Sequence, residues 1–299
     1  MQVKKAWQQV DGVLLLDKPL GLTSNSALQK ARRLFSAAKG GHTGTLDPLA
    51  TGLLPLCFGE ATKFSADLLD ADKTYEAVLK LGVTTDSGDA EGQVTATADV
   101  KVTEDDISRV IPRFIGAILQ IPPMHSALKR DGRPLYELAR QGIEVERQPR
   151  AVTIYSIDCL DFDVDRLSLR VACSKGTYIR VLAADIGAAL GCGAHLAGLR
   201  RTVVGDLDLT KAVTLVELES LDAAGRAGHL QAVDALLHTL PVLEVQGEAA
   251  ERFRHGNPVT LPDGFSGKIR VYADQRLIGV GEPGPDGRLW PKRLVQLAA

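Results

Sequence analysis

The sequence predicts an α+β fold with a mixed, largely antiparallel sheet. Segments with the apolar pattern of strands are interspersed with segments of helical spacing. The two types do not alternate regularly, as they would in a doubly wound parallel fold. A chain of 299 residues can form one large domain and one small domain. We expect the domains to span 1–240 and 241–299, because Pro241 follows a segment of helical pattern.

The N-terminal part of the chain is predicted to contain strands at 13–16, 53–58 and 75–81. Residues 75–81 alternate between apolar and polar side chains, as in a half-buried strand. A first helix should begin after Thr23, a good capping residue, and another should cover 61–69. Thr103 followed by Asp106 has the capping-box pattern and predicts a third helix.

The rest of the large domain is predicted to continue with a short helix at 136–141, which stops at Gly142. Two strands at 152–162 and 167–174 should form a meander, followed by an amphipathic helix that ends at Gly191. Residues 215–240 have a helical pattern. Beyond residue 240, short strand-like pieces separated by turns predict a small all-β module; the pieces are 258–261, 267–273 and 277–281.

Composition excludes several classes of protein. No apolar run approaches the roughly 18 residues of a membrane span, and the apolar stretch 13–16 is too short for a signal peptide. The four cysteines have no CxxC spacing, so neither a zinc ribbon nor a redox pair is indicated. The histidines are scattered, so we expect no metal site. A reduced, cytoplasmic location fits these observations.

Charge is distributed unevenly although the formal net charge is only −2. Basic residues exceed acidic ones in 17–63, 124–150 and 251–299. These segments could form one basic face for a phosphate backbone. A mixed, solvated surface would explain the same distribution.

The most informative segment is GGHTGTLDPLATGL, residues 40–53. It is too rich in turn-forming residues for a helix or a central strand, and it carries one carboxylate, Asp47. Its glycines allow close approach to a bound molecule, and Pro48 restricts the backbone at Asp47. We interpret Asp47 as an ionised carboxylate held rigidly in a cleft. The alternative is an Asp that only bonds its own turn.

Three further groups are candidates for a functional site. Tyr75 starts the alternating strand, where half-buried packing is the ordinary role of a tyrosine. Tyr178 and Arg180 stand two apart at a strand-to-helix junction; if that segment is extended, both side chains lie on one face. Arg180 could then pair with a buried carboxylate, or it could be a surface arginine. The basic, proline-containing segment 120–142 is either a flexible binding element or a solvated connection.

These segments resemble successive motifs of the TruB family of bacterial tRNA pseudouridine synthases. The resemblance runs in order from about residue 12 to 205, and more loosely over the last 60 residues. The motifs are GVLLLDKPLGLTS (12–24), GHTGTLDPLATGLLPLCFGEATK (41–63), KTYEAVLKLGVTTDSGDAEG (73–92), IPPMHSALKRDGRPLYELARQG (121–142), CSKGTYIRVLAADIG (173–187) and HLAGLRR (195–201).

The resemblance implies a catalytic domain of pseudouridine synthase type, with an RNA-binding excursion at about 124–150, and a C-terminal PUA-like RNA-binding domain. It implies an RNA isomerase that converts uridine 55 in the TΨC loop of tRNA to pseudouridine. The partner would be the TΨC stem-loop of tRNA, with no cofactor and no membrane. We expect a monomer, and we expect an added role in tRNA folding because the enzyme must open the tRNA elbow.

The resemblance also assigns roles to catalytic residues. Asp47 matches the catalytic aspartate of the family. Tyr75 matches the tyrosine that stacks on the target base and takes part in proton transfer. Tyr178 and Arg180 match the pair beside the aspartate, with Arg180 as its ion-pair partner.

Three more residues match substrate-binding positions. His42 matches a histidine that packs into the remodelled tRNA loop. Leu199 matches an apolar residue that lines the uracil pocket, and Lys18 a basic residue that supports the segment leading to the site. The sequence departs from the family at His125, where an aromatic residue is common, and at Ser87, where Thr is frequent; both positions affect fine substrate contacts.

The chemistry is consistent with this assignment. Isomerisation needs neither fuel nor redox cofactor, and the chain has no P-loop or dinucleotide-binding motif. A carboxylate can attack an anomeric carbon, or it can remove the C2′ proton to form a glycal; the sequence leaves both routes open. A hydrolase acting on a glycosidic bond would usually need a second carboxylate, and we expect none in these motifs. A non-catalytic RNA-binding protein is the other alternative.

Overall fold

The structure is a computed structural model that describes residues 6–126, 128–130 and 132–296. The structure does not describe residues 1–5 of the predicted large domain or residues 297–299 of the predicted small domain. Within the predicted excursion, residues 127 and 131 also lie outside the description. The α-helices are α1 Ser24–Leu34, α2 Glu104–Val110, α3 Leu135–Arg140, α4 Ile179–Ala189, α5 Leu215–Ser220, α6 Ala223–Ala227 and α7 Gly247–Arg254. Short 3-10 helices cover Gly59–Phe64, Ile111–Phe114 and Leu209–Lys211.

The strands divide between a large sheet, a small sheet and two separate hairpins. In chain order they are β1 Gly12–Lys18, β2 Gly40–His42, β3 Ala50–Phe58, β4 Lys73–Leu81, β5 Val83–Thr85, β6 Val94–Thr97, β7 Gly116–Gln120, β8 Lys129–Arg130, β9 Arg133–Pro134, β10 Arg150–Asp163, β11 Arg166–Cys173, β12 Ala194–Val204, β13 Leu207–Asp208, β14 Val213–Thr214, β15 Leu230–Gln231, β16 Val242–Glu244, β17 Val259–Thr260, β18 Ile269–Ala273, β19 Arg276–Pro283 and β20 Arg288–Leu294.

The large sheet has the strand order β14-β1-β3-β12-β4-β11-β10-β7. Within the described part of this large sheet, the pairs β1 with β14 and β3 with β12 are parallel, and every other pair is antiparallel. The predicted α+β class with a mixed, largely antiparallel sheet is therefore confirmed. Strands β1 and β3 are buried on both faces, which explains their continuous apolar sequences.

Two apolar clusters cover one face of this sheet. Helices α2 and α4 pack over β4, β10 and β11, whereas α1 and α5 pack over β1 and β3. Tyr75 on β4 and Leu199 on β12 contact both clusters. The seam between the two halves of this face therefore runs past these two side chains.

The C-terminal sheet has the order β16-β18-β19-β20-β17 and one accompanying helix, α7, which the sequence did not predict. Its side chains Leu277 and Val280 pack into the cluster that covers the second face of β1 and β3. Lys268 also forms an ion pair with Asp67, at 2.5 Å. The small sheet is thus joined to the large one by apolar and ionic contacts.

Two predicted helices differ from the structure. Beyond Gly59–Phe64 the chain continues to residue 71 in turns closed by i→i+3 bonds, such as Asp67 N–H to Phe64 O, so the helix expected at 61–69 is wrong. The helical pattern at 215–240 is broken because Leu221 is extended and Asp222 caps a new helix, α6. A strand and turns follow α6.

The 40–53 segment, expected to be neither helix nor central strand, has strands at both of its ends, because β2 and β3 extend into it.

In the described part of the chain, no helix combines the length and apolarity needed to cross a membrane.

Gly52 tests the close packing of β3 against β12. It has φ +97°, and a Cβ there would lie 2.3 Å from the carbonyl oxygen of Arg201. We expect Gly52→Ala to lower the free energy of unfolding by about 2–4 kcal/mol, measured by urea denaturation. Gly41→Ala is the control, because a Cβ there meets no atom within 4 Å; equal losses in both variants would contradict the packing argument.

Candidate active site

Asp47 lies in a loop that is tied down at several points. The Ser24 hydroxyl at the start of α1 accepts from Leu46 N–H at 2.8 Å and donates to Leu46 O at 3.1 Å. Gly21 N–H donates to Pro48 O at 2.9 Å. The loop is therefore rigid through backbone contacts, while the Asp47 side chain stays 45% exposed. This combination is suited to a reactive group that must meet a substrate.

Arg180 is the ion-pair partner of Asp47, as the sequence predicted. Its Nη2 lies 3.2 Å from Asp47 Oδ2, and its side chain is only 8% exposed. Arg180 lies in the first turn of α4, so the extended Tyr178–Arg180 segment considered from the sequence does not occur; only Tyr178 is extended. The guanidinium also donates to the carbonyl oxygen of His125 at 2.7 Å.

A second carboxylate, Asp89, contacts the other side of the same guanidinium. Its Oδ2 is 3.3 Å from Arg180 Nη1, and its side chain is 6% exposed. The Ser87 hydroxyl donates to Asp89 Oδ1 at 2.6 Å, and Glu91 N–H donates to the same atom. The expectation that these motifs lack a second acid is therefore wrong. The spacing of Ser87 and Asp89 in the turn TTDSGDAEG was the signal that sequence reasoning missed.

The two carboxylates have different surroundings. Asp89 is buried and engaged by a hydroxyl, a backbone N–H and Arg180, so it is suited to hold the guanidinium in place. Asp47 is open to solvent on the other side. Only Asp47 can reach a bound molecule with its carboxylate.

Tyr75 and Leu199 form an apolar seam close to this ion pair. Both are half-buried, and both pack against the clusters on either side. Burial raises the pKa of the Tyr75 hydroxyl, and the charge and hydrogen bond of Arg201 oppose that shift. Tyr75 is therefore a neutral phenol at neutral pH and offers an apolar ring with a hydroxyl.

Arg201 is a further site residue that the sequence analysis did not single out, although it ends the HLAGLRR motif. Its side chain is almost fully buried beside Tyr75 on the same face of the sheet. Its guanidinium donates to Leu53 O at 2.9 Å and to Gly44 O at 3.1 Å. Arg201 thus joins β12 to both ends of the loop that carries Asp47.

Lys18 is fully buried at the end of β1. Its ammonium donates to Leu22 O at 2.6 Å and to Pro19 O at 3.0 Å. Burial lowers the pKa of Lys18 to about 8, and the nearby charge of Asp47 opposes this effect. Lys18 therefore supports the turn that precedes α1 and adds positive charge beneath the site.

His42 ends β2, just before the Asp47 loop. Burial, and to a lesser degree the charge of Arg201, lower the pKa of His42, so its imidazole is neutral at pH 7. Its Nδ1 is buried and has no hydrogen-bond partner among the described residues. A neutral ring with an unused nitrogen is suited to pack against an aromatic base.

Tyr178 stands directly before α4 as its N-cap residue. It is half-buried and lies two residues from Arg180. Among residues 6–126, 128–130 and 132–296, no group of three or more histidine, cysteine and acidic side chains has an arrangement that could hold a metal ion.

Comparisons with known proteins agree with this geometry. Residues 32–179 match the model of the TruB family pseudouridylate synthase N-terminal domain. Residues 180–241 match a tRNA pseudouridylate synthase B C-terminal domain, and 241–295 match the C-terminal domain of pseudouridine synthase II TruB. The tRNA pseudouridine synthase B of Dechloromonas aromatica is 80% identical over 298 residues, which cover 100% of both chains. The chain belongs to the TruB family.

Other members and more distant structures extend the comparison. The tRNA pseudouridine synthase B of Azoarcus sp. is 58% identical and covers 99% of this TruB chain and 98% of its own. A chain in the crystal structure of the archaeal box H/ACA sRNP Nop10–Cbf5 complex is 27% identical, with a TM-score of 0.71 over 95% of this chain and 85% of its own. The fold is thus shared with a chain of an archaeal box H/ACA sRNP complex.

The low pKa of Lys18 predicts a pH-dependent stability. The pKa is about 8 in the folded chain and 10.5 ordinarily, so between these values the unfolded chain holds more protons and stability rises with pH. Relative to a Lys18→Met variant, the wild type should gain about 1.4 kcal/mol of unfolding free energy per pH unit in this window. Urea unfolding of both proteins from pH 7 to 10 measures this difference; a constant difference would refute the assignment.

Proposed function

We propose that this chain converts uridine 55 in the TΨC loop of tRNA to pseudouridine. The observation that carries the proposal is the solvent-accessible carboxylate of Asp47, ion-paired with the buried Arg180 in a tied loop. The TruB membership of the chain and the names of its relatives support the reaction and the tRNA substrate. The charge of Asp47 acts on the Tyr75 hydroxyl, so the carboxylate lies near the seam at Tyr75 and Leu199.

The reaction breaks the bond between C1′ and N1, turns the uracil, and joins C5 to C1′. The C5 proton leaves and a proton is added at N1, so the product is an isomer of the substrate. Asp47 either attacks C1′ and forms a covalent sugar ester, or removes the C2′ proton and forms a glycal. Both routes need an anionic carboxylate beside the ribose.

Either route requires that the uridine leave its stack, which costs a few kcal/mol. Stacking on the Tyr75 ring, worth about 1–3 kcal/mol, would offset much of that cost. Leu199 would close the uracil pocket from β12. Tyr178 would remove the C5 proton or support the ring, and the neutral His42 ring would pack into the opened tRNA loop.

Because Asp89 supplies a second carboxylate beside Arg180, a hydrolase is the main alternative. Its carboxylate faces Arg180, Ser87 and the Glu91 N–H, and its side chain is 6% exposed. A general acid must instead reach the leaving group. These contacts favour a structural role for Asp89 and leave isomerisation by Asp47 as the better account.

The rest of the proposal concerns how RNA is held. A catalytic domain at 1–240 would bind the stem-loop with its excursion at 124–150, whose strands β8 and β9 and helix α3 carry basic side chains. The C-terminal 241–299 would act as a PUA-like RNA-binding domain, a division supported by the family-model boundary at residue 241. We propose a cytoplasmic monomer that needs no cofactor.

Asp47→Asn tests the proposal directly. With tRNA transcripts carrying tritium at uridine C5, the wild type should release tritium from the TΨC loop, and the variant should release none. Binding of tRNA should change little, because a carboxylate does not attract phosphate. Asp222→Asn is the matched control, since Asp222 is an exposed helix cap that asparagine replaces well.

Two outcomes would count against the assignment. Tight tRNA binding without release by the wild type would make the chain a binding protein. An equal loss of tRNA binding and of turnover in Asp47→Asn would show that Asp47 does not act specifically in the chemical step.

A role in tRNA folding is a separate prediction. Opening the tRNA elbow to reach uridine 55 should also help a misfolded tRNA to rearrange, without any need for Asp47 chemistry. The Asp47→Asn protein should therefore accelerate refolding of misfolded tRNA as well as the wild type does. Unaltered refolding rates in its presence would contradict this role.

A further inference from the structure

The amide side chain of Gln120, at the end of β7, holds the backbone of Tyr178. Its Oε1 accepts from Tyr178 N–H at 2.9 Å, and its Nε2 donates to Tyr178 O at 3.3 Å. Gln120 is only 2% exposed. A buried amide that uses both ends on one residue is costly to replace, because its loss removes the acceptor of Tyr178 N–H and one of the donors to Tyr178 O.

Tyr178 is a sensitive place for such a contact because it is the N-cap of α4. No side chain of its own caps the helix, and its carbonyl also accepts the first helical bond, from Leu182 N–H at 3.1 Å. Gln120 therefore fixes the position of the backbone at the residue directly before α4. Arg180 stands two residues further on, within the first turn.

Gln120 also marks the base of the excursion at 124–150. It is the cross-strand partner of Arg150, so the chain leaves the sheet just after Gln120 and returns opposite to it. Five residues beyond Gln120, the carbonyl of His125 accepts from Arg180 at 2.7 Å. One short segment thus contacts Tyr178 through a side chain and Arg180 through its backbone.

We propose that Gln120 is a positioning residue that couples the excursion to the catalytic groups. When RNA engages the excursion, the segment 120–125 moves or stiffens as a unit, and Gln120 and His125 transmit this to Tyr178 and Arg180. Arg180 in turn orients Asp47. This inference rests on the proposed function, and it assigns to Gln120 a role in catalytic rate rather than in RNA affinity.

The test is Gln120→Met, which keeps the length of the side chain but removes both hydrogen bonds. Single-turnover tritium release should slow by about tenfold or more, while the dissociation constant for tRNA stays within about threefold. Amide hydrogen exchange should become faster in the segment 175–181, because Gln120 is the acceptor of Tyr178 N–H. Exchange in the strands of the large sheet should not change.

Gln231→Met is the matched control, since Gln231 is a half-buried glutamine at the other side of the sheet, on β15. It should leave rate and exchange at 175–181 as in the wild type. A wild-type rate in Gln120→Met would overturn the inference. So would a parallel loss of rate, tRNA binding and melting temperature, which would indicate a purely structural residue. An inactive wild type would instead refute the proposed function.

Discussion

The buried guanidinium of Arg180, held between Asp47 and Asp89, is the interaction on which the site depends. A buried positive charge is expensive unless it is paired and hydrogen-bonded. Here it meets two carboxylates and a backbone carbonyl, and the three come from separate parts of the chain. The loop of Asp47, the turn of Asp89 and the segment near His125 are therefore held together by one side chain on α4.

The same need for pairing explains the other buried cations beneath the Asp47 loop. Lys18 and Arg201 are directed at backbone carbonyls rather than at carboxylates. Their N–H groups satisfy irregular backbone that glycine-rich turns leave unpaired. The charge of Lys18 also adds positive potential near Asp47, which suits a carboxylate proposed to act on an anionic RNA.

The sheet places an apolar seam near this charged cluster. Tyr75 and Leu199 lie on neighbouring strands at the one seam where the apolar clusters of α4 and α1 both reach them. An apolar surface beside a carboxylate is the combination that the proposed base stacking and chemistry require. The segment at the base of the excursion also meets the start of α4, because Gln120 holds the backbone of Tyr178.

The sequence by itself determined the strand and helix types of β1, α1, β4, β10 and α4, because apolar periodicity and capping residues act locally. Ordered motifs predicted site roles for Asp47, Tyr75, Tyr178 and Arg180, and they predicted the pairing of Asp47 with Arg180 that the structure shows. Only the tertiary structure showed that Asp89 shares the Arg180 guanidinium with Asp47. It also showed that Gln120 and Arg201 contact Tyr178 and Gly44, which lie 58 and 157 residues away along the chain. It also decided the break-up of the helical pattern at 215–240, where a capping Asp222 outweighed periodicity. Contacts between distant segments are set by packing, which no local pattern encodes.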